Sequence, residues 1–250
     1  MSEPLSLVAL FFSGLFVGFV NVMAGGGSAL TLPLLILIGL DTPTANGTNR
    51  ISILLLNMSG FFSFYQQKVS KFRQGILMAL CTLPGAIIGA LAAIRMEDAL
   101  FRRVLAFVII GIMLTVIFPR SKSTGGIGDK KPKYAWLIYP IMFGVGFYGG
   151  FIQAGVGFLL MACMVNILGI DLVRVNMYKT LIILIYTIPV LGIFILTGCV
   201  NWKYGLIMAA GSASGAWISA RLAVKKGEKA VRIVFVIMIL VIAVKLLGGF

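Results

Sequence analysis

Eight long apolar runs dominate this chain. They cover residues 5–23, 43–65, 75–93, 104–118, 134–152, 175–196, 204–220 and 233–244, and each is nearly uncharged. Most approach the ~20 residues that a helix needs to cross about 30 Å of hydrocarbon. Only structures whose backbone is hydrogen-bonded internally survive in lipid, and a membrane β-barrel would show ten-residue alternation instead of solid runs. Charged residues make up 11% of the chain, against about 25% in a soluble domain. The chain is therefore expected to be an all-α polytopic membrane protein, with the lipid bilayer as its solvent and the plasma (cell) membrane as its location.

The net charge of +14 does not point to nucleic acid. Most of the 21 Lys and Arg residues sit in short loops between apolar runs, where such residues set membrane topology. Cys81, Cys163 and Cys199 show no paired spacing and histidine is absent, so neither a disulfide framework nor a metal site is expected. The start "MSEPLSL" has no basic region before its apolar run and reads as the first helix, not a cleaved signal.

The two halves of the chain align with each other without a gap. In that single register Gly14 meets Gly144, Ala24-Gly25 meets Ala154-Gly155, Gly27 meets Gly157, Asp41 meets Asp171, Asn46 meets Asn176, Gly85 meets Gly215 and Arg102 meets Arg232. Residues 1–119 then form a first repeat, 120–133 a basic linker ("RSKSTGGIGDKKPK") and 134–250 a second repeat. Each half has four long runs and one short one, at 29–40 and 158–170. At ~18 Å the short runs either span in distorted form or re-enter. Letting them cross places Lys68, Lys71, Arg73, the linker and the cluster at 221–232 on one side. That satisfies the positive-inside tendency and makes the halves inverted, with both termini outside.

"NVMAGGGSALT" at residues 21–31 interrupts an apolar run with three glycines. Glycine inside a helix costs roughly 1 kcal/mol relative to alanine, so the stretch argues for a break. Non-helical backbone at membrane depth persists only when buried in protein or lining a polar cavity. Ser28 is placed to cap a short helix starting at Ala29, whose free N–H groups and positive dipole end would suit an anion. "QAGVGF" (153–158) would present a second such terminus. Gly14, Gly18, Gly85 and Gly89 are explained more simply as close-packing positions between helices.

The next helix of each half carries polar residues in its first turns: Asn46, Thr48, Asn49 and Arg50, then Asn176, Tyr178, Lys179 and Thr180. A cation inside a spanning segment is costly and marks a functional site by default, although snorkelling to a headgroup is open to both. Arg50 can grip an oxyanion bidentately, while Lys179 acts as a point charge. Asp41 and Asp171 precede these helices and read as N-caps. The other acids, Glu3, Glu97, Asp98, Asp129 and Glu228, lie in loops or at the start of the chain, so a relay built on buried acids is poorly supplied. No histidine base, Walker loop or HExxH occurs, and no βαβ context surrounds the glycines, so neither an enzyme nor a cofactor is expected.

With these residues in view, the chain resembles the sulfite exporter TauE/SafE family, the TSUP membrane transporters. The resemblance covers essentially the whole chain. It centres on residues 18–50, with the small-residue break, Pro33 in a short helix, Gly39 and Ala45-Asn-Gly-Thr48. The second half departs from it, with "AGVG" for the glycines, Cys163 aligned with Pro33 and Met177-Tyr178 aligned with Gly47-Thr48. The resemblance implies transport of a sulfur-containing anion such as sulfite or an organosulfonate.

The reading that follows is a transporter holding a small anion at the repeat interface. Backbone N–H groups would come from Gly25, Gly26, Gly27, Ser28, Gly155 and Gly157. Charge would come from Arg50 and Lys179, and neutral hydrogen bonds from Asn46, Thr48, Asn49, Gln153, Asn176 and Tyr178. Alternating access would move it. A passive anion channel and a non-transporting membrane scaffold are the alternatives, and a homo-oligomer is open.

Overall fold

In the computed structural model, residues 3–25, 27–67, 72–105, 107 and 135–247 are described, except the side chains of 3–6, 24, 28, 29 and 227–247. The linker at 120–133 and most of the run at 104–118 lie outside the described residues. All regular structure among them is helical: α1 (Glu3–Ala24), α2 (Ser28–Leu37), α3 (Thr42–Gln66), α4 (Phe72–Arg95), α5 (residues 98–105), a 3₁₀ turn (Ala135–Leu137), α6 (Ile138–Phe151), α7 (Val156–Leu168), α8 (Leu172–Leu196) and α9 (Trp202–Leu247).

Two of the described helices, α4 and α8, are long and apolar enough to cross a membrane on length and composition. The 25 residues of α3 suffice in length, but its first half is polar, and Asn46, Thr48, Asn49, Arg50 and Ser52 are all buried. The outer surface is apolar, with Phe12, Phe16, Ile88, Phe143 and Ile188 exposed. Polar groups inside and hydrocarbon outside is the arrangement lipid requires. α2 and α7 have 10 and 13 residues, about 15 and 20 Å of helix, less than a bilayer's thickness.

The runs at 204–220 and 233–244, expected as separate segments, form one helix of 46 residues. Between them lies "RLAVKKGEKAVR", rich in good helix formers, free of proline and interrupted by Gly227 alone, so nothing local stops the helix.

The halves exchange α4 and α9. α4 packs on α6 and α8 of the second half, while α9 packs on α1 and α3 of the first, and α3 meets α8 between these bundles. Small residues make the exchanged contacts possible. A Cβ on Gly18 would collide with Ser212 O, and one on Gly146 would collide with Thr82 O. Gly85 and Gly89 lie equally close to Phe143 O and Phe147 O, and Gly211 and Gly215 to Phe11 O and Leu15 O. Such backbone-to-backbone approach is how helices associate where lipid removes the hydrophobic drive. The register of α1 against α6 differs from the sequence alignment. Gly18 and Gly146 share a role in packing, yet the alignment sets Gly18 opposite Tyr148. Gly14 abuts Met208 O, while its aligned partner Gly144 meets nothing within 4 Å.

Asp41 and Asp171 are N-caps. Asp41 accepts from Thr44 N at 3.2 Å, and Asp171 from Val173 N and Arg174 N at 3.1 and 3.0 Å.

Candidate functional site

Both chain breaks lie in the interior. α1 stops at Ala24 because Gly25 turns left-handed, at φ +81°, with its N–H on Asn21 O. α6 stops at Phe151, and the N–H of Ile152 falls back on Tyr148 O. Gln153, at φ +68°, is the one positive-φ residue other than glycine among the described residues, and Gly155 follows at φ +70°. The two breaks press against each other. A Cβ on Gly157 would collide with Gly25 O, and one on Gly25 would stand 2.7 Å from Gly157 C.

A broken helix leaves carbonyls without partners and the negative end of a dipole. Each break receives a cation from the opposite bundle. Arg50, on α3, places Nη1 2.7 Å from Gly149 O and 2.6 Å from Gln153 Oε1. Its Nη2 lies 2.6 Å from Gly150 O and 3.3 Å from Asn46 Oδ1, and the guanidinium sits over the Phe194 ring. Asn46 Nδ2 in turn donates to Phe151 O at 2.8 Å. Lys179, on α8, donates to Asn21 O at 2.8 Å, Val22 O at 2.9 Å and Asn176 Oδ1 at 2.7 Å, with Met161 Sδ at 3.7 Å. Both cations are 0% exposed, and no carboxylate is buried among the described residues. Helix C-termini and amide oxygens therefore compensate the charge. Snorkelling does not describe either side chain.

Donors without partners remain at both cations, Arg50 Nε at one and Asn176 Nδ2 at the other; Asn49 Nδ2 is also buried and unbonded, as is one acceptor on a residue that Lys179 engages, Asn21 Oδ1. The amide oxygen of Asn49 is unpartnered too.

The structure thus gathers Arg50, Asn46 and Gln153 at one break, and Lys179 and Asn176 at the other, with Gly25 and Gly157 in contact between them. Other expected site residues stand elsewhere. Thr48 Oγ1 accepts from Asn201 N at 2.8 Å, holding the turn before α9. The Tyr178 ring packs at Gly75 on α4, and Gly27 packs against Val17 O and the Asn21 side chain. Gly155 is the N-cap of α7. α2 begins at Ser28 with Gly27 as its N-cap and no side-chain cap, so Ser28 is not the capping residue. Gly26 and the Ser28 side chain lie outside the described residues. The expectation that helix N-termini carry the site shifts accordingly: a break exposes two helix ends, and the cations engage the carbonyl ends of α1 and α6.

Tyr186, Asn21, Met161 and Phe194 also belong to the site, and sequence reasoning does not single them out. Tyr186 donates to Gln153 Oε1 at 2.9 Å, sharing that oxygen with Arg50. Its signal is a hydroxyl in the middle of an apolar helix. Asn21 carries a similar one, standing alone before the glycines.

Three relatives resemble this chain over nearly their whole length. The "Probable membrane transporter protein YfcA" of Escherichia coli K12 is 31% identical across 99% of this chain and 91% of its own. A "Probable membrane transporter protein" of Haemophilus influenzae is 27% identical, covering 96% and 94%. YunE of Bacillus subtilis 168, named in the same terms, is 24% identical, covering 97% and 98%. No solved structure matches. The family model described as sulfite exporter TauE/SafE matches residues 10–246, and the chain belongs to that family of membrane transporters.

Proposed function

We propose that this membrane transporter carries a small anion, sulfite or an organosulfonate, through the plasma membrane. The observation that carries the reading is the pair of buried cations, Arg50 and Lys179, set at two helix breaks with unbonded donors beside them and no buried carboxylate among the described residues. An oxyanion is the ligand that both satisfies those donors and balances the charge. The family description supports a sulfur oxyanion.

The exchanged helices support two inverted repeats and suggest what moves. One bundle holds α1, α3 and α9, and the other α4, α6 and α8. Arg50 reaches from the first bundle to carbonyls of α6, and Lys179 from the second to carbonyls of α1. Rocking one bundle against the other must loosen these bonds, and an arriving oxyanion competes for the same cations. Alternating access then proceeds by exchanging carbonyl partners for the anion.

Proteoliposome flux of radiolabelled sulfite tests this. Arg50→Ala and Lys179→Ala are each expected to abolish saturable uptake while the protein still inserts. Unchanged uptake in both variants would reject the site.

A further inference from the structure

Two buried side chains outside the cation centres carry polar atoms with no partner. Asn57 on α3 and Thr187 on α8 are both 0% exposed, and Asn57 Oδ1 and Thr187 Oγ1 make no hydrogen bond. The amide of Asn57 is oriented by its Nδ2, which donates to Ile53 O at 2.7 Å, so the free atom is an acceptor. A threonine in an apolar helix usually returns its hydroxyl to a carbonyl one turn back. Thr180 does so, donating to Met177 O at 2.8 Å, and Thr187 does not.

These residues lie on helices that pack against each other. α3 and α8 run antiparallel: Gly47 lies against Phe194, Arg50 beneath the same ring, Ile51 near Leu191 and Gly60 near Thr180. Asn57 lies two helical turns beyond Arg50, and Thr187 two turns before Phe194. A seven-residue step returns to nearly the same helix face, about 10 Å along the axis. Read between the contacts of Gly47 with Phe194 and Gly60 with Thr180, the pair falls within about one helical turn of each other along the crossing, about 10 Å from the level of Arg50 and about 12 Å along α8 from Lys179. Asn57 and Thr187 are also aligned positions in the register that relates the two halves.

Resting on the anion reading above, we propose that Asn57 and Thr187 form a neutral station midway between the two cations. Its ligand is a small oxyanion that carries a hydrogen-bond donor of its own. The donor goes to Asn57 Oδ1, and Thr187 Oγ donates to an anionic oxygen. A bare oxyanion would leave Oδ1 unpaired against negative charge, which makes the station selective as well as permissive.

Hydroxymethanesulfonate and methanesulfonate have the same charge and differ by one hydroxyl, so their fluxes into proteoliposomes separate the two cases. The wild type is expected to move hydroxymethanesulfonate with a kcat/KM about tenfold higher, one neutral hydrogen bond's worth. Asn57→Leu is expected to erase the preference, and Thr187→Val to slow both substrates about equally. Equal fluxes in the wild type, or a preference that survives Asn57→Leu, would overturn the station. So would a sodium-dependent flux whose dependence vanishes in Asn57→Leu, since it would assign the two oxygens to a cation. If Asn57→Leu does not reach the membrane, the wild-type ratio and Thr187→Val decide. Arg50→Ala separates the two levels. Unchanged flux there removes the anion reading and the station with it, whereas loss there with unchanged selectivity in Asn57→Leu removes the station alone.

Discussion

The two helix breaks reach the same electrostatic end by different chemistry. At the end of α1, glycine supplies the left-handed turn, and a lysine ammonium gathers the carbonyls of Asn21 and Val22. At the end of α6, a glutamine takes the left-handed position, and an arginine fork spans Gly149 O, Gly150 O and that glutamine's own side chain. A left-handed residue with a Cβ costs roughly 1–2 kcal/mol, yet Gln153 offsets that by receiving both Arg50 and Tyr186. The comparison teaches that the two breaks share a charge at a helix end, not a residue type. The second half departs from the glycines of the first where Gln153 takes the left-handed turn with a side chain that binds Arg50, while Gly25 takes it with none.

Removing each cation is expected to give the largest effects and to rank the two centres. Arg50→Met removes four hydrogen bonds, leaving two carbonyls and Asn46 Oδ1 without a donor and Gln153 Oε1 with Tyr186 alone, where hydrogen bonds to a charged group are worth roughly 1.5–3 kcal/mol each. A loss of at least about 3 kcal/mol is expected in detergent unfolding. Lys179→Met fills its volume and removes three hydrogen bonds to oxygen where Arg50→Met removes four, so about 2 kcal/mol is expected. The reverse order would mean that the lysine break, not the arginine break, anchors the two bundles.

The contact between the breaks comes next. Gly157→Ala drives a methyl into Gly25 O, with backbone on both sides and no flexible side chain to yield. Overpacking of this kind costs about 1–3 kcal/mol, and under the alternating access proposed above, in which the breaks slide past each other, transport is expected to fall further than stability. Gly192→Ala in α8, with nothing within 4 Å, is the control and is expected to lose no stability and to gain up to about 1 kcal/mol from helix propensity. Melting temperature and flux, measured on both variants, separate a hinge from a simple packing contact.

Giving the second break the residue of the first is a sharper and smaller perturbation. Gln153→Gly relieves about 1 kcal/mol of left-handed strain and removes a bond to Arg50 worth roughly 1.5–3 kcal/mol. A net loss of about 1 kcal/mol is expected. A variant as stable as the wild type would show that the Gln153 side chain is incidental to the break.

Much of this is legible in the residues themselves. The apolar runs point to the helical membrane class, Asp41 and Asp171 read correctly as caps, and Arg50 and Lys179 stand out as cations without buried acids. The direction of the site is not legible, because "AGGGS" announces a break without saying which of its two ends a distant side chain will meet. Nor is the helix exchange, which depends on glycine faces meeting partners far along the chain, as Gly85 meets Phe143 and Gly18 meets Ser212. Sequence spacing alone also misjudges α1 against α6, since the N-caps Gly27 and Gly155 keep the register of α1 and α6, and the alignment of Asp41 with Asp171 returns only because α7 has 13 residues where α2 has 10. The long α9 escapes a reading by charge because its basic stretch resembles a loop, although its residues are all sound helix formers except Gly227.

The smallest effect concerns a latch in the first half. Asp98, at the start of α5, accepts from Thr42 N at 2.9 Å and Thr42 Oγ1 at 2.5 Å, and pairs with Arg102 at 2.7 Å. It thereby ties the turn after α4 to the N-terminus of α3, where a negative charge is favoured by the dipole. The residue aligned with Thr42 in the second half is Leu172, which has no hydroxyl to offer. The Thr42 hydroxyl and N–H, with Arg102, hold the Asp98 carboxyl down at about 2. A carboxyl whose folded value lies below its unfolded one adds stability that is complete above the unfolded value, near pH 4, and is lost as the pH falls towards 2. Solvent reaches this carboxylate, with 44% of the side chain exposed, so the gain is heavily screened. Asp98→Asn is therefore expected to melt slightly below the wild type at neutral pH, with the two curves converging between pH 4 and pH 2. A gap that stays constant across that window would mean the latch works through its hydrogen-bond geometry alone, and that the first half gains no charge-dependent hold that the second lacks.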